Sequence, residues 1–194
     1  MEDESGREMW IEAGLKEIGR SGVEGVRVEV LAAHLGITKG GFYRRFENRR
    51  ALLDALLETW RCGRIAAIKK QTELLAGDRA GERLKSLIRL YAERLNPQAM
   101  AIELAIRQWA RSDAAASAAV ERVDVARLSN VAQLYRHLGW SPEEAHARAV
   151  LLYAFIFGQS LIFLGQSQRK RASMDAACAE ILIDVPAFDA QDST

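Results

Sequence analysis

Apolar residues recur at helical spacing along nearly the whole chain, and glycine, proline and capping residues cut the recurrence into segments. Ile11, Leu15 and Ile18 stand at i, i+4 and i+7, and Gly22 and Gly25 break the run, which predicts a first helix from about Arg7 to Ser21. Val26-Arg27-Val28-Glu29-Val30 alternates as a strand would, but Leu31 spoils the alternation while Val28, Leu31 and Leu35 keep one helical face. A short helix is expected there, closed by Gly36 as a left-handed cap. Thr38 stands where it can cap a second short helix, Lys39 to Phe46, and Asn48 where it can cap a longer one that carries Leu53, Leu56, Leu57 and Trp60 towards Lys70.

Beyond Gly77 the predicted helices lengthen. Leu84, Leu87, Ile88, Tyr91 and Leu95 form one stripe, closed by Asn96-Pro97, where Asn caps and Pro fills the first position of a helix running to about Arg111 with Ile102, Ile106 and Trp109. Asp113 begins an Ala-rich helix with Val120, Val123, Val131, Leu134 and Leu138, ended by Gly139. Ser141-Pro142-Glu143-Glu144 has the capping-box arrangement and launches an apolar helix from Pro142 to about Gln166. Its uncharged stretch from Ala149 to Gln168 is interrupted by Gly158, Gln159, Ser160 and Gly165, short of the roughly 20 predominantly apolar residues a bilayer needs. Burial in a core or against another subunit is expected instead. A last amphipathic helix, about Met174 to Ile183, precedes a polar tail from Val185 to Thr194 that is expected to fray. The pattern as a whole predicts an all-α protein.

Composition narrows the class. The 194 residues carry 27 Lys plus Arg against 26 Asp plus Glu and are 49% hydrophobic, a globular composition with enough chain for a sizeable core. Cys62 and Cys178 lie far apart without metal-type spacing and suit a reducing cytosol. The acidic start differs from the basic and then apolar start of a secretory signal, so a cytoplasmic location is expected. Charge is uneven: residues 1–26 balance to −4, with three bases against seven acids, and residues 27–50 to +4, with Arg27, Lys39, Arg44, Arg45, Arg49 and Arg50 against Glu29 and Glu47. A basic cluster of that size suits phosphate contact.

Two short helices separated by Gly36-Ile37-Thr38, the second rich in basic and aromatic residues, follow the helix-turn-helix plan, in which the second helix enters the major groove. Ala32 and Ala33 are small where the helices must approach. Phe42 and Phe46, four apart, can form the inward face of the second helix, leaving Lys39, Gly40, Tyr43 and Arg44 for DNA. The run Val28-x-x-Leu31-Ala32-x-x-Leu35-Gly36-Ile37-Thr38-Lys39-Gly40-Gly41-Phe42-Tyr43-Arg44-Arg45-Phe46-x-Asn48-Arg49-x-x-Leu52-Leu53 resembles the DNA-binding domain of TetR-family (tetracycline-repressor-type) transcriptional regulators, over about Glu8 to Arg64. The remainder resembles that family in length, helix count and the segment Arg107-Gln108-Trp109-Ala110.

The resemblance implies a homodimeric, ligand-responsive regulator, most often a repressor, acting on a palindromic double-stranded operator. Residues 1–50 would be the helix-turn-helix DNA-binding domain and residues 51–194 a helical ligand-binding and dimerisation domain. Tyr43 would reach a phosphate through its hydroxyl, Lys39 and Arg44 phosphates or base edges, and Arg49 a phosphate at the start of the linking helix. Arg27, Thr38, Gly40, Gly41 and Arg45 complete the candidate DNA surface, the two glycines by permitting close backbone approach. The chain departs from the family at Arg27, where a capping Thr or Ser is usual, at Arg45, where His is common, and at Arg50, where an acid is usual.

Two further surfaces follow from apolarity. The helix from Pro142 is too apolar to face water and an amphipathic helix follows it, so two copies of the pair can close a four-helix dimer interface through Leu161, Ile162, Leu164 and Ile181, with Gly158 and Gly165 permitting close approach. An uncharged or weakly anionic apolar effector would sit among Trp60, Leu87, Tyr91, Trp109, Val123 and Arg127, with Tyr91 or Arg127 as a polar anchor. Glu143-x-x-His146 fits one half of a di-iron carboxylate motif, but the second copy is missing. No catalytic triad, phosphate loop or dinucleotide motif occurs, and no cofactor, metal or membrane is expected. The competing readings are a helical small-molecule-binding protein or enzyme with a vestigial helix-turn-helix, and a helical adaptor that binds only protein.

Overall fold

The computed structural model describes residues 2–74, 81–84, 86–87, 96–162 and 167–183. Tyr91, Leu164 and Gly165 lie outside the described residues, as do Ile88, Leu95 and the 185–194 tail. All regular elements among the described residues are helical: α1 (Glu2–Ser21), a 3₁₀ turn (Val23–Gly25), α2 (Val28–Leu35), α3 (Lys39–Tyr43), α4 (Arg49–Leu74), α5 (Pro97–Trp109), α6 (Ala114–His137), α7 (Pro142–Ile162) and α8 (Gln168–Ile183). The protein is all-α.

Local chemistry explains most boundaries. Asn48 Oδ1 accepts from Ala51 N at 3.0 Å at the start of α4, and Asn96 Oδ1 from Gln98 N at 3.0 Å and Ala99 N at 3.3 Å ahead of Pro97. Asp113 Oδ1 accepts from Ala116 N at 2.9 Å. At α7 the box closes in both directions, Glu144 N donating to Ser141 Oγ at 3.3 Å and Ser141 N to Glu144 Oε2 at 3.2 Å.

Three boundaries differ from the sequence reading. α1 begins at Glu2 rather than Arg7, because Gly6 alone does not stop a helix. α3 ends at Tyr43, although Arg45 N and Phe46 N still donate to Phe42 O at 2.8 and 3.0 Å, so the segment winds on as a turn. α8 begins six residues before Met174, with Ser167 Oγ accepting from Lys170 N at 3.4 Å.

Packing divides the chain into two compact units, Met1–Ala67 with Asn96–Val125, and Ile68–Leu95 with Ala126–Thr194. The chain passes between the units inside α4, ahead of α5 and inside α6, and none of these crossings is at residue 50, where the sequence reading ends the first domain. In the first unit α1 packs on α5 and α2 around Trp10, Ile18, Leu31, Phe42, Leu52, Leu56, Ile106 and Val123, all buried. The α1–α4 approach is tight: a Cβ on Gly14 would lie 2.9 Å from both Leu56 methyl carbons. A charged network joins α4, α5 and α6. The carboxylate of Glu103, 3% exposed, accepts from Arg107 Nε at 3.0 Å and pairs with Arg64 Nε at 3.3 Å, and the Arg107 fork also grips Asp124.

The second unit is built on Leu84, Leu87, Val131, Leu134, Tyr135, Ala149, Leu152 and Ile156. The Tyr135 hydroxyl donates to Leu182 O at 3.2 Å, and burial pushes its pKa up to about 12. α7 has the length and apolarity of a membrane-crossing helix, so the sequence argument from its interruptions does not by itself dispose of a bilayer. Its two faces differ: Ala145, Ala149, Leu152, Tyr153, Ile156 and Gln159 are buried in the unit, while Val150, Leu151, Leu161 and Ile162 are exposed.

Candidate nucleic-acid interface

The turn between α2 and α3 is closed by its own backbone. Gly36 takes the left-handed conformation at φ 65°, Ile37 N donates to Ala32 O at 3.0 Å and Gly36 N to Ala33 O at 3.3 Å, the double bond of a Schellman cap. A residue with a Cβ would be strained there. The turn brings α3 onto an aromatic bed. Phe42 is fully buried, edge-on to Trp10 with ring centroids 5.2 Å apart and stacked on Phe46 at 5.4 Å. Trp10 is the residue sequence reading missed. It lies one place before Ile11 on the inward face of α1, and its size was the available signal.

With Phe42 and Phe46 inward, the other face of α3 is presented to solvent. Tyr43 is 62% exposed with its ring edge against Phe42 at 5.1 Å, so the ring is steadied and the hydroxyl is outside. Thr38 is at the N-cap position but makes no side-chain cap hydrogen bond. A Cβ built on Gly41 meets nothing within 4 Å, and one on Gly40 meets only Thr38 Oγ1 at 3.7 Å. Neither glycine is required by the protein's own packing.

The basic cluster looks different once its partners are known. Arg49 Nε and Nη2 donate to Val26 O and Val23 O, both at 2.6 Å, so this guanidinium clamps the α1–α2 connection to the start of α4. Arg45 Nη1 donates to Gly41 O at 2.9 Å and its guanidinium lies against Gly6 of α1, while the Arg7 guanidinium sits 5.1 Å over the Phe46 ring. Arg27 donates to Glu24 O at 3.2 Å and, as the N-cap of α2, offers no side-chain cap. Arg50 joins Asp54 and Asp113. Lys39 Nζ lies 2.9 Å from Glu29 Oε1, and that hydrogen bond holds the Glu29 carboxyl below the usual range. Of the six cations between residues 27 and 50, Arg44 is the one that makes no hydrogen bond or ion pair among the described residues.

The residues expected to line an effector site do not share one unit. Trp60, Trp109 and Val123 are buried together in the first unit's core. Leu87 is buried in the second, where Arg127, 5% exposed, lies over the rings of Tyr153 at 5.8 Å and Phe157 at 5.6 Å. Two surface cavities, of about 530 Å³ by Arg136, His137 and His146 and about 360 Å³ by Glu17, Arg20 and His34, are lined by none of them. Of the residues expected at the dimer interface, Leu161 and Ile162 at the end of α7 are 62% and 74% exposed and Ile181 of α8 is 67% exposed, while Gly158 is half-buried. Cys62 is exposed, but the Glu58 carboxylate accepts from its thiol at 3.1 Å and pushes its pKa up, away from a reactive thiolate.

A Schellman-turned helix pair with an exposed aromatic and cationic face, attached to a larger helical body, defines a helix-turn-helix DNA-binding regulator. Residues 11–56 match the family model of bacterial regulatory proteins, tetR family. A search of curated proteins finds no match. Solved structures similar over nearly the whole length include a chain described as a TetR-family transcriptional regulator from Rhodococcus sp., at 24% identity, TM-score 0.65, covering 94% of this chain and 100% of that one. They also include a transcriptional regulator from Saccharomonospora viridis in complex with choline, at 20% identity and TM-score 0.76, covering 91% and 96%. A third is the reduced form of E. coli NemR, at 17% identity and TM-score 0.71, covering 94% and 100%. Residues 11–56 carry the DNA-binding domain of the tetR family of bacterial regulatory proteins, and the chain as a whole shares the fold of those structures.

Proposed function

We propose that the protein is a cytoplasmic homodimeric repressor that binds a palindromic operator through α3 and is released by a small apolar effector. The observation that carries the reading is the division of α3 into a buried face, Phe42, and an exposed face, Thr38, Gly40, Tyr43 and Arg44, on a rigid aromatic bed. Residues 1–50 do the reading, Tyr43 and Arg44 as direct contacts and Arg49 and Arg45 chiefly as clamps that hold the reading head. Residues 51–194 receive the effector and dimerise. The exposed apolar residues Leu151, Leu161, Ile162 and Ile181 support a second copy as the cover of α7 and α8. The choline bound by the S. viridis neighbour supports a small organic ligand for this fold. A ligand can act only through unequal affinity for the DNA-competent and DNA-incompetent forms.

Selection from random duplex DNA tests the reading. A dimer should select two half-sites about one helical turn, or a small multiple, apart. Affinity should fall with salt at a slope of about −0.9 per phosphate contact. No selected sequence, or a salt-independent affinity, sinks the proposal.

A further inference from the structure

Lys39 is the first residue of α3 and Glu29 lies in the first turn of α2, so both helix starts of the reading head contribute one charge to a single pair. The pair is 2.9 Å long and its side chains are 56% and 62% exposed, which leaves it open to solvent and to anything that docks there. The other partnered cations of the head differ in kind. Arg27 and Arg49 donate to backbone carbonyl oxygens, Arg27 also lowering the Glu29 pKa through its charge, and the two acids on Arg50 lie in α4 and at the start of α6. Glu29 is the acid hydrogen-bonded to the first residue of the recognition helix. When Lys39 gives a phosphate one of its three donors, the Glu29 carboxylate is brought beside the DNA backbone and opposes the approach.

Resting on the DNA-binding reading above, we infer that Glu29 is a specificity-determining residue that acts through Lys39. The pair presents a donor and an acceptor side by side, the complement of a G·C edge in the major groove, where guanine O6 and N7 accept and the cytosine amino group donates. At such a base pair both side chains exchange one partner for another. On random sequence the phosphates satisfy only Lys39, and Glu29 opposes the approach. The pair thus lowers affinity everywhere except where a G·C pair meets it.

The test compares wild type, Glu29→Gln, Lys39→Met and the double variant on the selected operator and on a random duplex across a salt series. Both positions are exposed, so the variants should fold, and thermal melts check this. Glu29→Gln should tighten binding to random duplex about threefold or more and steepen its salt slope by about 0.9, one added phosphate contact. Selection repeated with this variant should lose a G·C preference at one position of each half-site. Both effects should vanish in the Lys39→Met background. A Glu29→Gln effect that persists there marks simple repulsion and overturns the inference, as does an unchanged base preference. Wild type that binds no duplex overturns the DNA-binding reading and this inference with it, whereas salt-dependent wild-type binding with an inert Glu29→Gln overturns the inference alone.

Discussion

Arg50 and Asp113 meet across 63 residues of chain: the Arg50 guanidinium, already hydrogen-bonded to Asp54 at 2.8 Å, also donates to Asp113 Oδ2, while Asp113 Oδ1 accepts from Ala116 N at 2.9 Å. One carboxylate therefore caps α6 and holds the first turn of α4, the helix that follows the reading head. The Arg50 hydrogen bond and then that of Ala116 N keep the Asp113 carboxyl below its ordinary range. A depressed folded-state pKa gives stability that is complete above the unfolded value, about 3.9, and is lost as pH falls through the folded one. Asp113→Asn keeps a cap and loses the charge, so its stability gap to wild type should be constant from about pH 5 to 8 and close below about pH 4 in urea titrations. Asp113→Ala should lose a further 0.5–2 kcal/mol, roughly the value of a cap.

Arg49 separates clamping from phosphate binding. Its two bonds to Val23 O and Val26 O are charge-assisted and partly buried, so Arg49→Met should cost about 2 kcal/mol in chemical denaturation. Arg49→Lys keeps the charge but not the two-pronged geometry. It should still lose stability, while the salt slope of DNA binding stays unchanged in Arg49→Met, where the charge is gone. A changed slope with unchanged stability would mark Arg49 as a phosphate anchor instead.

Tyr43→Phe removes one exposed hydroxyl and leaves the ring on Phe42. Melting should move by no more than about 0.5 kcal/mol equivalent. DNA affinity should fall by a similar factor on operator and random duplex, because phosphate contacts carry no sequence information.

Gly40→Ala should do the opposite to stability. With only Thr38 Oγ1 near the added methyl, at 3.7 Å, the folded protein accommodates it and helix propensity adds up to about 1 kcal/mol. Operator binding, measured by fluorescence anisotropy, should weaken if this backbone approaches DNA closely.

Leu161→Arg places a charge on an exposed apolar position of α7 that the single chain does not need for its core. Sedimentation should report a folded monomer with unchanged helicity. An intact dimer would move the interface elsewhere.

What the sequence determined by itself was most of what near neighbours carry, the Thr38 cap and the ends of α1, α3 and α8 excepted. Helical spacing, the caps Asn48, Asn96, Asp113 and Ser141, and the Gly36 turn involve bonds within a few residues, so residue type and position suffice to read them. The inward and outward faces of the recognition helix were legible for the same reason, since Phe42 and Phe46 recur at one turn. Tertiary structure alone decided what the charges do. A count of six cations between residues 27 and 50 looks like one phosphate-binding patch, yet Arg49 reaches carbonyls 23 and 26 residues back, Arg50 a carboxylate 63 residues on, and Lys39 an acid in the preceding helix. It also decided that Trp10 lies beneath Phe42, and that Trp60 and Arg127 belong to different packing units. Long side chains choose partners by where the packed backbones bring acceptors within reach, and that reach depends on helix positions that no local pattern encodes.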